Sequence, residues 1–306
     1  MTGAPAPTPD RAVAPVPVAN FGRPPSPSAS AEWSRRHVLA TSLRTVLGRA
    51  YPRIIGTARE PSWVFFEILL PFLTTSAFVF VYRALHAPGD YIGFVVLGGA
   101  MLAFWTNVIW SMGTQLYWEK DQGSLELYFC APSDIMFVLL GMAFGGMIGT
   151  GTRAIVVLGA GTLLYGVTFS VHQWLLLIVV FLLTLAALYG LGMILASLFV
   201  LWGREAFHLT DFLQEPVYFV SGLNFPVGRL GLLGAFAVAL IPLAVGLDAM
   251  RQLAFAGSDS FGTPQPAVEA LILVVMVVVF VGLARVLMRA LERRARQEGR
   301  LSARWQ

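Results

Sequence analysis

Long apolar runs alternate with short polar stretches along the chain, and their lengths set the first expectation. Residues 62–85 (SWVFFEILLPFLTTSAFVFVYRAL) and 91–112 (YIGFVVLGGAMLAFWTNVIWSM) each carry the roughly 20 apolar residues that cross a bilayer as a helix. A third helix is expected from residue 135 to about 166 and a fourth from about 173 to 202. Both exceed what a span needs at about 1.5 Å per residue. A fifth span is expected over 207–225 (FHLTDFLQEPVYFVSGLNF) and a last one over 268–288. Ahead of them, Val38, Leu39, Leu43, Val46, Leu47, Ala50 and Tyr51 recur at roughly helical spacing among Arg35, Arg36, Arg44 and Arg49. That pattern predicts an amphipathic helix, over 33–60, lying in the headgroup region. The pattern as a whole predicts an all-α polytopic membrane protein with six transmembrane helices.

Charge decides the one ambiguous stretch. Residues 228–246 are long enough to cross, but a crossing there would put Arg285, Arg289, Arg293, Arg294, Arg296, Arg300 and Arg304 outside, against the positive-inside rule. Pro226 and Pro242 also break helix near its ends. A re-entrant hairpin over about 226–246, dipping in from outside, is therefore expected, with Ser221, Gly222, Pro226, Pro242, Asp248 and Arg251 in its region. Both termini are then cytoplasmic in a multi-pass cell-membrane protein. Residues 1–32 are rich in Pro, Ala and Ser and are expected to form a disordered tail, residues 61–290 the spanning domain, and 291–306 a basic cytoplasmic tail.

Composition agrees: 57% of the 306 residues are hydrophobic, 12% are charged and the mean hydropathy is +0.71. The net charge of +4 follows from topology and requires no nucleic acid. One cysteine, Cys130, excludes an intrachain disulfide, and His37, His86, His172 and His208 lack metal-ligand spacing.

One polar segment stands out, YWEKDQGSLELYFCAPSD at residues 117–134. Gly123 interrupts it, Ser124 is a good N-cap, Glu126 falls in the first turn and Pro132 stops the helix, with Ser133 able to cap the next one. A helix of about two turns, roughly 124–130, is expected between the second and third spans. The stretch EKDQGSLELYFCAPSDIMFVLLG resembles the corresponding segment of type-2 ABC transporter permeases, especially drug and lipid exporters of the daunorubicin-resistance kind. PVYFVSGLNFPV followed by IPLAVGLDAMRQ is similar to a second stretch of that family. The resemblance implies a coupling helix, about 119–132, in which Glu119, Gly123, Ser124, Leu125, Glu126 and Pro132 dock on an ATP-binding subunit. It also implies a second permease copy or a related permease as partner, ATP and Mg held by the ATP-binding subunit, and efflux of a drug, antibiotic or lipid.

The only lysine, Lys120, is not in a P-loop, so this chain is not expected to be the ATPase or any other enzyme; no H-E-x-x-H or G-x-S-x-G is present either. A polysaccharide or teichoic-acid export permease and an ion-coupled secondary transporter are the alternatives. Four intramembrane charges are functional candidates. Glu67 and Arg153 fall at similar depth and either pair or snorkel separately to the interface. Asp211 and Glu215, four apart, either line a path for cationic amphiphiles or sit at the cytoplasmic mouth beside Arg204. Gly141, Gly145 and Gly149 form a small-residue face suited to close helix packing or to a hinge, and Trp105, Trp110 and Trp118 are expected in interfacial belts.

Overall fold

A computed structural model describes residues 35–130, 133–225, 240–255 and 265–298. All regular structure among them is helical: α1 Arg35–Arg59, α2 Pro61–Ala84, α3 Gly89–Thr106, a π-helical segment Asn107–Gly113, α4 Gln115–Asp121, α5 Leu125–Cys130, α6 Ile135–Tyr165, α7 Trp174–Trp202, α8 Glu205–Val220, α9 Pro242–Ala254 and α10 Pro266–Glu298. The chain forms two compact units, Met1–Ala40 and Thr41–Gln306. Only the opening turns of α1 are described in the first, and all packing below lies within the second. The expected tail over 1–32 lies outside the described residues.

Five helices are long and apolar enough to cross a membrane: Val64–Ala84, Gly89–Asp121, Ile135–Tyr165, Trp174–Trp202 and Pro266–Leu291. The second is the most enclosed, with 78% of its most apolar window buried, against 17% for the first and 22% for the last. It is the central post, and α2 and α10 turn most of their surface outward. α7 packs against α10, α9 and the π-helical segment, while α3 packs against α2 and α6. Met101, Phe104, Trp105, Val108, Ile109 and Met112 fill the centre against Leu188, Tyr189 and Leu195 of α7. Trp105 is 2% exposed, so it is a core residue and not part of an interfacial belt; Trp110 and Trp118 are exposed.

The end of α6 is set as its sequence requires. Gly166 adopts φ +71°, a left-handed conformation that a Cβ disfavours, and its amide reaches back to Thr162 O at 3.0 Å. At its start the capping residue is Asp134, whose carboxylate accepts from Met136 N at 2.9 Å, rather than Ser133. A carboxylate is the stronger acceptor and also complements the helix dipole.

The expected fifth span is shorter than anticipated. α8 has 16 residues, about 24 Å of helix, less than a hydrocarbon core of about 30 Å. Of the hairpin region, 226–239 and with it Pro226 lie outside the described residues. Pro242 occupies the first turn of α9, a 13-residue helix buried on nearly every side. Gly246 lets α9 approach α7: a Cβ there would lie 1.9 Å from Thr184 Oγ1.

Candidate functional site

The helix that begins at Gly89 does not stop where the polar segment starts. The π-helical turn carries it past Ser111 and Met112 into α4, so Tyr117 to Asp121 continue the second apolar helix instead of connecting two spans. The connection is then only a few residues. Gly123, at φ +77°, reverses the chain, its amide bonded to Lys120 O at 3.1 Å and the Ser124 amide to Glu119 O at 2.9 Å. α5 follows at once, Leu125–Cys130.

Glu119 is the anchor of this turn. Its carboxylate accepts from the Arg49 guanidinium of α1, from Gln115 Nε2 at 3.1 Å, from Ser124 Oγ at 2.5 Å and from Tyr128 Oη at 3.0 Å. One carboxylate thus ties together α1, α4, the turn and α5. A buried carboxylate is costly unless paired and hydrogen-bonded, and Glu119, 8% exposed, has both kinds of partner. The Ser124 hydroxyl donates back to Glu119, which makes the serine a clasp between helices. The Arg49 guanidinium also lies 5.2 Å from the centre of the Tyr128 ring. Partial burial pushes the Tyr128 phenol up to about 12, and the Glu119 carboxylate adds to the rise while Arg49 opposes it. Tyr128 therefore stays a protonated donor. Lys120 donates to Val200 O at 3.2 Å, fastening α4 to the end of α7.

The sequence-predicted residues divide by direction. Glu119 and Leu125, the latter 1% exposed, face inward and hold the segment. Asp121, Gln122 and Gly123 are exposed at the turn and Leu127 of α5 is 70% exposed, so these form the outward surface. Glu126 is a residue of α5. Pro132 lies outside the described residues.

Beside this hub runs a polar seam that was not singled out from the sequence. Arg53 donates to Ser111 Oγ and to Gln115 Oε1. Tyr189 donates to Asn107 Oδ1 at 3.0 Å. The small-residue face of α6 makes room for it: a Cβ at Gly141 would lie 2.6 Å from Val46 O, and one at Gly145 2.9 Å from Ala50 O. The backbones of α1 and α6 touch there, which places α1 against the helical body through the face carrying Val46, Arg49, Ala50 and Arg53. The spacing of Arg49 and Arg53 by four was the available signal. Pro52, Arg53, Ser111, Gln115, Met142, Arg49 and Glu119 enclose an open cavity of about 340 Å3.

Arg153 of α6 and Glu67 of α2 form an ion pair, with side chains 8% and 28% exposed. Asp211 and Glu215 are both exposed on α8, with Phe212 and Phe219, whereas Ala206, Thr210 and Val217 are its buried face.

The residues after the expected fifth span converge on Arg251. This side chain, 1% exposed, donates to Gly222 O at 2.6 Å, Phe94 O at 2.9 Å and Leu223 O at 3.0 Å. Gly222, at φ +70°, and the buried Ser221 lead the chain past it. A planar fork that reaches three carbonyls at once suits arginine and not lysine. Asp248 and Glu269, 6% and 4% exposed, are bridged by Gln252 Nε2 at 3.3 and 3.4 Å. No group of three or more His, Cys, Asp or Glu suited to a metal ion occurs among the described residues.

No protein-family model matches the chain, and no curated protein matches it.

Proposed function

We propose that the chain is the membrane-spanning permease subunit of an ATP-driven ABC exporter, moving a hydrophobic or amphiphilic compound out of the cell with ATP hydrolysed by a separate subunit. The observation that carries this reading is the build of the α4–α5 turn. A short helix is fastened inward through Glu119, Leu125 and Tyr128 and presents Asp121, Gln122 and Leu127 outward. Fastening of that kind lets a push on α5 reach α1 and the central helix together, which a solvated loop would not do. On this reading α8 is a short fifth crossing, α9 is the buried limb of a re-entrant hairpin and both termini are cytoplasmic. The exposed Asp211 and Glu215 face of α8 would be unfavourable against lipid and suits a cleft shared with a second permease copy.

The test is purification of the full tagged chain from its native membranes and identification of co-purifying proteins by mass spectrometry. A P-loop ATPase recovered with the native chain and lost from Leu127→Asp and Asp121→Lys variants that keep their melting temperature supports the reading. A chain that comes out alone and transports in vesicles without ATP overturns it.

A second reading, ion-coupled transport, is favoured by the buried pair Asp248 and Glu269 between α9 and α10. Uptake driven by a pH gradient without ATP and lost in Asp248→Asn is its signature.

A further inference from the structure

The cavity between α1, the π-helical segment, α4 and α6 has no part in the coupling argument, yet its lining is chemically pointed. Two guanidiniums, Arg49 and Arg53, face one carboxylate, Glu119, with the neutral donors and acceptors of Ser111 and Gln115 beside them. The lining carries a surplus of one positive charge. Arg49 Nε is buried without a hydrogen-bond partner, although the rest of its guanidinium meets Glu119. Buried donors in native proteins are normally satisfied, so this one marks a place for an acceptor atom. A volume of about 340 Å3 lies in the range of small-ligand sites, roughly 300–1,000 Å3.

We propose that this cavity binds a phosphate-bearing monoanion, held by Arg49 and Arg53 with Ser111 and Gln115 completing its hydrogen bonds. A phosphodiester carries the single negative charge that balances the lining, and guanidinium forks match its oxygens. Burial holds the Arg53 pKa below the usual guanidinium value, and the neighbouring Arg49 and Arg153 push the same way, so an added anion relieves the site. The lipid headgroup is the source the surroundings favour. Leu43, Leu47 and Tyr51, at a spacing of four on α1, are 60%, 52% and 67% exposed, and they give acyl chains an apolar stripe on the helix that carries both arginines. Free inorganic phosphate offers the same chemistry without using that stripe. The proposal does not depend on a partner ATPase.

Native mass spectrometry of the full chain, released from nanodiscs of equal phosphatidylglycerol and phosphatidylcholine, reads the site directly. The expected result is one phosphatidylglycerol retained per chain in preference to phosphatidylcholine, with occupancy falling at least tenfold in Arg53→Gln. The same fall is expected in Gln115→Glu, which adds a negative charge to the lining with little change of shape and guards against loss of fold in the arginine variant. Displacement of the lipid by millimolar inorganic phosphate assigns the site to phosphate in general; resistance to it assigns the site to the lipid. Equal retention of the two lipids, or phosphatidylglycerol occupancy unchanged in a folded Gln115→Glu chain, overturns the proposal.

Discussion

Glu119 shows how much one side chain can organise when its four partners come from separate stretches of chain. Glu119→Gln keeps the shape and part of the hydrogen bonding but removes the charge facing Arg49, and a loss of about 1–3 kcal/mol is expected in thermal unfolding in detergent. In the Arg49→Gln background the same change should cost much less, because the pair has already been broken. Tyr128 gives this hub a pH dependence. Its phenol titrates near 10 when unfolded and is pushed up to about 12 in the fold. The folded state therefore holds the proton more tightly, and the contribution is complete below pH 10 and lost as pH rises toward 12. Melting temperature should fall over that window, and less steeply in Tyr128→Phe. The ion pair of Glu67 and Arg153 makes a similar demand: a double-mutant cycle with Gln at both positions should return a coupling above about 1 kcal/mol.

At the scale of elements, glycine in α6 separates two kinds of position. Gly141 lies against the backbone of α1, whereas a Cβ at Gly151 would meet nothing within 4 Å. Gly141→Leu is expected to cost about 1–3 kcal/mol and to loosen α1, read as faster hydrogen exchange in residues 43–55. Gly151→Ala should be neutral or stabilise by roughly 0.5–1 kcal/mol through the helix preference alone. The apolar runs located α2, α6 and α7 to within a residue or two, and the Gly141 spacing marked a packing face. The π-helical segment was not legible, since residues on every side of that helix are apolar and a change of winding leaves no mark in such a run. Nor was the inward turn of Glu119, because a charged residue in a polar stretch reads as solvated until a distant arginine is seen to cover it.

For the molecule as a whole, buried polar groups tie the outer ends of the sequence to its middle. Arg251 joins α9 to α3 and to the chain leaving α8, and Arg251→Lys, which cannot reach three carbonyls together, should lower folded yield severalfold by size-exclusion chromatography. The charge distribution pointed to Arg251 and Asp248 only as members of a motif, since neither partner carbonyls nor the Gln252 bridge have a sequence signature. The wide turn at Asn107–Gly113 carries a further consequence for the entire assembly. A π-helical turn accommodates one residue more than an α-helical one, so deleting a single residue there would swing everything beyond it by about 100° around the helix axis. Gln115 and Glu119 would rotate away from α1 while the core above stayed in register. The chain thus contains a phase setting, seven residues long, that decides whether the segment facing the outside of the bundle is geared to the first helix or idles beside it.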